Sequence, residues 1–359
     1  MLLPDRLAQM HQREYAVLTT SGTTALVLSM WALGLANKRI AIPNNVCYSV
    51  PLAVYLSGNE PVWVDIDKKN MRMNLKDLWL ECHAGECDAV IAVHSYGIPC
   101  DIINIAAFCA KENIPLIEDC AVALGAGDVG HYGDVSILSF GEGKIINNGG
   151  DGAILTDDYD LAKSVGVLQY ALPMSDRSLH QNTQRLSNVH THLYNSYYWD
   201  DWCKIFVFGA AALRCPYDFL SVQDHFGLDY LSLEKKLDNL DRNVESRWNK
   251  WKELDGLLGG YTTQISDNIG VDWRYNFLVE PEHQQLLLKR LHKKGFKASS
   301  WHPPSDIFWQ ERSRDDSTPT PNADWVGDRI INLWVDDSVD DEYIIGVSDE
   351  VRRFLDEQV

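Results

Sequence analysis

Between Tyr15 and about Val167 the chain alternates short apolar, β-branched runs with stretches of helical period. "RIAIP", "PVWVDID", "CDAVIAVHSYG" and "IPLIEDCA" read as strands, and segments such as "TTALVLSMWALGLA" and "DIINIAAFCAKEN", apolar at three- and four-residue intervals, separate them as helices. Strands separated by helices pair in one direction through crossovers, so the pattern predicts an α/β domain around a mainly parallel sheet. Several strands end in polar residues: Asp65 and Asp67, His94 and Ser95, Glu118 and Asp119. Ligands of open α/β sheets bind at the carboxyl ends of strands, which puts candidate chemistry there.

The texture then changes. From about 170 to 215 the chain is rich in Asn, His and aromatics, as in "SLHQNTQRLSNVHTHLYNSYYWDDW", and is expected to be an irregular or partly helical excursion, a lid or subunit contact. A mixed-charge helical stretch follows, expected to connect two domains over about 221–255. The expected division is a large domain over 1–220, this connection, and a smaller α+β domain over 256–359. In the last part "WRYNFLVE" and "RIINLWV" read as strands, and "EHQQLLLKRLHKKG" and "DEYIIGVSDEVRRFLDE" as helices.

The net charge of -19 argues against a basic footprint for nucleic acid or an anionic membrane, so neither is an expected partner. No apolar run approaches the roughly 20 residues of a span, and the first residues lack a secretory pattern, so a cytoplasmic location is expected. The eight cysteines contain no C-x-x-C pair, and most are expected to be buried, reduced thiols. Cys82, His83 and Cys87 have no second ligand pair nearby, so no metal site is expected.

Three segments carry candidate chemistry. "LTTSGTTAL" opens an apolar helix with Ser21, Gly22 and Thr23, where a hydroxyl caps free N–H groups and the helix dipole favours an anion. "IPLIEDCA" delivers Asp119 at a strand end, either as a cap or as the partner of a protonated cofactor ring nitrogen, which pyridoxal phosphate requires to draw electrons. "SILSFGEGKIINNGGDGAIL" puts Ser139 at the end of a strand and Lys144 on a glycine-flanked turn, where a hydroxyl can hold phosphate and an amine can reach an aldehyde carbon as a Schiff base. A phosphate cradle, a strand-end aspartate and a lysine after a serine-terminated strand, in that order, are more specific than any one alone. His94, at another strand end, is expected to make a structural hydrogen bond.

In this succession the chain resembles the DegT/DnrJ/EryC1/StrS family of pyridoxal-phosphate sugar aminotransferases, of fold type I. "SGTTAL", "PVWVDID", "VHSYGIPCD", "IEDCAVALGA", "SFGEGKIINNGGDGAIL" and "RLHKKGFKASSWHPP" are similar to family motifs along nearly the whole length. The resemblance implies pyridoxal 5'-phosphate as cofactor and a homodimer with a shared active site. It implies that Lys144 bonds the cofactor and shuttles a proton, that Asp119 pairs with the pyridine nitrogen, and that Ser139 with the Gly22 and Thr23 amides grips the phosphate. The implied reaction moves an amino group from a donor such as glutamate to a keto-sugar, nucleotide-linked or free. A dehydrating subgroup replaces the lysine with histidine, and here Lys144 is intact.

Some positions depart from the family pattern. A glutamine position near the ring falls on Val122, and the stacking aromatic falls on Cys47, with Tyr48 beside it as the substitute for cofactor or substrate contact. An Asn-Tyr-Arg segment that reaches the partner subunit falls on Pro216 to Asp218. His302 matches a position near the site's mouth and is a substrate-contact candidate. The departures keep two rivals in view: a degenerate, non-enzymatic relative, and another pyridoxal-phosphate reaction such as elimination.

Overall fold

A computed structural model describes residues 1–83, 85, 87–172, 174–175, 222–223, 230–264, 270–309 and 319–358. Its main sheet has seven strands: β1 (Tyr15–Thr19), β2 (Arg39–Pro43), β3 (Glu60–Val64), β4 (Ala89–Val93), β5 (Leu116–Asp119), β6 (Val135–Ser139) and β7 (Gly152–Thr156). They lie in the order β1-β7-β6-β5-β4-β2-β3. Strands β3, β2, β4, β5 and β6 run parallel, and β7 runs antiparallel to both β6 and β1. The α/β fold expected from the alternating pattern is therefore present.

Strands β4 to β7 are buried along their whole length, as near-continuous apolar runs in a covered sheet should be. Period-two alternation splits their side chains between two cores. Ile91, Ile117, Ile137 and Ile154 pack with the helix Gly22–Ala32, whereas Leu138 and Leu155 pack on the opposite side with the N-terminal helix Leu3–Met10. The helix Gly22–Ala32 is buried from Thr24 through Met30, which explains why its sequence is apolar all round.

Two residue pairs form a short parallel ladder, β8 (Met174–Ser175) with β9 (Val222–Gln223). The rest of the excursion expected at 170–215, except for 170–172, lies outside the described residues. Where one long connecting helix is expected, two are found, Tyr230–Asp238 and Leu240–Leu258, interrupted at Asn239, whose φ of -104° is not helical. A second sheet follows, antiparallel, in the order β10 (Thr263–Gln264), β11 (Tyr275–Leu278), β13 (Ile330–Leu333), β12 (Ala298–Ser299). The helices Pro281–Lys293 and Asp341–Asp356 pack on it around their own core.

The cysteine expectation needs one correction. Cys100, Cys109 and Cys120 are buried free thiols and Cys47 is a half-buried one, but Cys82 and Cys87 form a disulfide at the end of the helix Leu75–His83. The helix end brings their Cα atoms to 4.9 Å, within bridging range although the spacing is not C-x-x-C. Cys203 and Cys215 lie outside the described residues.

Two constraints hold the frame. At a crossing of backbones beside β4, Val271 N–H donates to Gly97 O at 3.0 Å. A Cβ on Gly97, whose φ is +80°, would sit 2.0 Å from Val271 O. The second is Glu118, fully buried, whose carboxylate accepts from His94 Nε2, from Gly130, Tyr132 and Gly133 N–H, and from Ser136 Oγ. Burial would push this carboxyl up, but those donors outweigh it and hold it at about 2. Cys100 N–H donates to His94 Nδ1, which fixes the imidazole proton on Nε2, so the expected structural hydrogen bond of His94 is found.

Two outcomes follow for stability. Gly97→Ala should cost about 3 kcal/mol or more, read as a lower urea midpoint with unchanged slope. Because the Glu118 carboxyl is lowered on folding from the ordinary 4.5, its contribution is complete above about pH 4.5 and is lost as pH falls toward 2. Glu118→Gln should therefore reduce stability at neutral pH by about 3 kcal/mol and flatten the acid limb of the stability profile; an unchanged acid limb would contradict this.

Candidate active site

Register alone brings several sequence candidates to one edge of the sheet. Asp119 pairs with Ile137 across β5 and β6, Ser139 pairs with Gly152 across β6 and β7, and Thr19 pairs with Gly152 from the other side. Just beyond, Ser21 bridges Asp151. The carboxyl ends of β5 and β6 thus stand beside the start of the helix Gly22–Ala32. This edge opens into a cavity of about 1810 Å³, lined by Ser21, Gly22, Thr23, Tyr48, Asp119, Val122, Ser139, Lys144 and His302. All nine candidates from the sequence share it.

At the helix start, Ser21 is the N-cap and its hydroxyl accepts from Thr24 N–H at 3.0 Å. The next N–H groups, of Gly22 and Thr23, begin the helix at the cavity wall, where unsatisfied donors and the dipole attract an anion. Gly22 packs against Ser139 so closely that a Cβ on it would lie 2.9 Å from Ser139 Cβ and 3.1 Å from Ser139 Oγ. Glycine is needed here for proximity, since it brings the helix N-terminus and the serine hydroxyl into one cradle.

Asp119 is buried, and Oδ1 accepts from Ala121 N–H at 2.9 Å. Burial raises its pKa, and the nearby Lys144 ammonium opposes that rise. The same lysine adds to the effect of burial on His302, whose imidazole is pushed down to about 3 and is neutral at physiological pH. Lys144 thus lies near both a buried carboxyl group and a neutral histidine. Its turn is short, with Lys144 N–H donating to Gly141 O, and Gly143 takes the left-handed φ of +76°.

The far wall comes from the second sheet. Trp273 Nε1 donates to Gly143 O at 2.8 Å, pinning the lysine's turn from 130 residues away. The Trp273 ring stacks with His302 at 6.0 Å and Trp301 at 6.2 Å. His302 N–H donates to the buried Tyr96 hydroxyl at 2.8 Å. Trp273, Trp301, Arg247 and Arg274 line the cavity but are not singled out in the sequence, because their relation to Lys144 is wholly tertiary, although Trp301 lies in the "RLHKKGFKASSWHPP" segment. An indole next to an arginine, just after Gly270 and before a strand, was the only signal available.

The residues present fit pyridoxal phosphate. The cradle between Gly22 and Ser139 would be filled by a single Cβ, the buried Asp119 carboxyl accepts from the Ala121 N–H on the cavity wall, and the Ser95 hydroxyl, also on that wall, is buried with no hydrogen-bond partner. Val122 offers an apolar side chain, and Tyr48 stands on the wall beside Cys47. The Pro216–Asp218 segment lies outside the described residues. Among the described residues, His94, Glu118 and Cys120 cluster closely enough to suggest a metal, but the Glu118 oxygens and both His94 nitrogens already have protein partners.

Comparison with known proteins bears on the family and the fold. The description of the DegT/DnrJ/EryC1/StrS aminotransferase family matches residues 3–189. A GDP-perosamine synthase of Escherichia coli O157:H7 is 25% identical over 368 aligned residues, covering 99% of this chain and 89% of that protein. Among solved structures, Helicobacter pylori PseC, an aminotransferase involved in the biosynthesis of pseudoaminic acid, superposes with a TM-score of 0.77 at 17% identity, over 99% of this chain and 90% of that one. NtdA of Bacillus subtilis, solved with bound cofactor PMP, gives 0.75 at 19% identity, over 98% and 76%.

The cradle makes a specific expectation. Gly22→Ala should leave the fold intact but displace Ser139 and weaken pyridoxal phosphate binding by about tenfold or more, measured by titrating the cofactor absorbance. Equal affinity in the variant would show that the phosphate sits elsewhere.

Proposed function

The chain belongs to the DegT/DnrJ/EryC1/StrS aminotransferase family, and from that premise we propose that it transfers an amino group from glutamate to a keto-sugar, nucleotide-linked or free, in amino-sugar biosynthesis. The observation that carries the reading is the meeting of Lys144, Asp119, Ser139 and the Gly22–Thr23 helix start in one cavity. The relative named for GDP-perosamine synthesis supports a sugar acceptor. We also propose that the protein acts in the cytoplasm as a homodimer. Among the described residues no helix is long and apolar enough to cross a membrane. The exposed Tyr159, Val167 and Tyr170 on one helix offer surface for a second copy.

When bound, pyridoxal phosphate supplies an aldehyde carbon that takes up amines and a ring that draws electrons from the adjoining carbon. The chain's own groups then have distinct tasks. The Gly22 and Thr23 N–H groups and the Ser139 hydroxyl hold the phosphate, fixing the ring's position. The Asp119 carboxylate holds a proton on the ring nitrogen, and this cation in turn offsets the cost that burial imposes on the carboxylate. Lys144 Nζ would hold the cofactor by its aldehyde and, when free, would serve as the base that holds and moves the substrate's proton. His302, kept neutral, can accept a hydrogen bond from substrate without adding positive charge beside Lys144. Trp273 and Trp301 put apolar rings on the cavity wall, with the buried Tyr96 in ring contact behind Trp273.

The test uses absorbance. Protein loaded with pyridoxal phosphate should show a visible band that disappears on adding glutamate as the amino form of the cofactor accumulates, and Lys144→Ala should lack both the band and turnover. Asp119→Asn should retain the band while reducing the glutamate-driven rate by about a hundredfold or more, because a neutral amide cannot hold the ring-nitrogen proton. A band that glutamate and other amino acids leave untouched would sink the aminotransferase reading.

A further inference from the structure

Arg274 immediately precedes β11 and lines the cavity. Its guanidinium lies over two indoles, 4.6 Å from the ring of Trp273 and 4.1 Å from that of Trp334. One part of the fork is engaged: Nη1 donates to Asp336 Oδ2 at 3.1 Å and to the Trp273 carbonyl at 2.8 Å. The other edge is open. Nε is buried with no hydrogen-bond partner, and among the described residues Nη2 donates to none. The residue is only 3% exposed, so water does not explain the vacancy of Nε.

An unpaired buried donor costs about 1–3 kcal/mol, and here it stands on the wall of a substrate-sized chamber. The Nε and Nη2 hydrogens point in parallel, the arrangement that matches two oxygens of a carboxylate or a phosphate side by side. The two indoles hold the guanidinium in place beside the cavity. The neighbouring charge favours an anion. Asp336 offsets one charge, and Asp337 lies 3.9 Å from Lys250, but Arg247 and Lys297 also line the cavity. Burial lowers the Arg274 pKa to about 10, so it remains protonated at neutral pH. Its position is close to the chemistry, because the Trp273 indole under it also holds the Lys144 turn.

We propose that the Nε–Nη2 edge of Arg274 is a subsite for a substrate oxyanion, the carboxylate of the amino donor or a phosphate of the acceptor. The proposal rests on reading this cavity as the substrate chamber, and it assigns a binding role to a residue outside the cofactor set. Oxygens seated there satisfy the open donors and orient the substrate toward Lys144. The planar fork makes the subsite selective for in-plane recognition, which a lysine at the same position cannot reproduce.

The test is calorimetric titration of the pyridoxal-phosphate-loaded protein with glutarate and, separately, with inorganic phosphate, the cofactor's own phosphate site being filled. At least one anion should bind saturably, with affinity about tenfold or more weaker in Arg274→Gln and in Arg274→Lys, both checked for the cofactor band. Glutarate alone binding identifies the donor's carboxylate, phosphate alone the acceptor's phosphate, and both a shared subsite; each upholds the proposal. Absence of binding, or binding unchanged in the variants, overturns it. If Arg274→Gln fails to hold cofactor, Arg274→Lys decides; if both fail, saturable binding to the wild-type protein upholds it and its absence overturns it. Because titration needs no turnover, a negative result here leaves the glutamate-dependent loss of absorbance standing, and failure of that reaction leaves the titration readable.

Discussion

Adjacent carboxylates at the end of β5 set the rest of the site in place. A strand turns successive side chains to opposite faces, so Glu118 and Asp119 cannot share an environment. Glu118 meets His94 and the N–H groups of Gly130, Tyr132 and Gly133, a saturated set that keeps it ionised and ties the following loop to the sheet. Asp119 turns to the cavity, where burial raises its pKa and the charge of Lys144 and the Ala121 N–H oppose that. The first carboxylate serves structure, and its rigidity aims the second at the cavity.

The second sheet completes what the first begins. Its contribution arrives through a close backbone crossing at Gly97 and Val271, which carries Trp273 to the lysine's turn. The indole fixes Gly143 with its N–H, stacks with His302 on one side and contacts the Arg274 guanidinium. Cofactor chemistry and substrate selection therefore share one aromatic support, and a change in the position of the second sheet would be felt at Lys144. The departures of Val122 and Cys47 from the family pattern fall on the wall of this same cavity.

Much of this was legible in the chain because the signals were local. Alternating apolar periods report a covered parallel sheet, "IPLIEDCA" reports a strand ending in carboxylates, and "SFGEGK" reports a serine-ended strand with a lysine turn. The residues found only in the structure owe their roles to distance in sequence. Trp273 meets Gly143 across 130 residues, and the open edge of Arg274 depends on which of its hydrogens Asp336 occupies. The Cys82–Cys87 bond escaped for a different reason: Cys87 lies beyond the helix that ends at His83, and the five-residue separation is not a recognisable spacing motif. Likewise the break at Asn239 is a single non-helical φ inside an otherwise continuous helical period.

The central claim is that one amine, Lys144, captures the cofactor's aldehyde in the cavity that Asp119 and Ser139 share. Borohydride reduction of the pyridoxal-phosphate-loaded protein converts a carbonyl carbon joined to an amine into a stable secondary amine, and peptide mass spectrometry then locates it. The account predicts one phosphopyridoxyl group per chain, on the peptide containing Lys144. A label on Lys235, Lys236, Lys297 or any other lysine, with Lys144 unmodified, would contradict it.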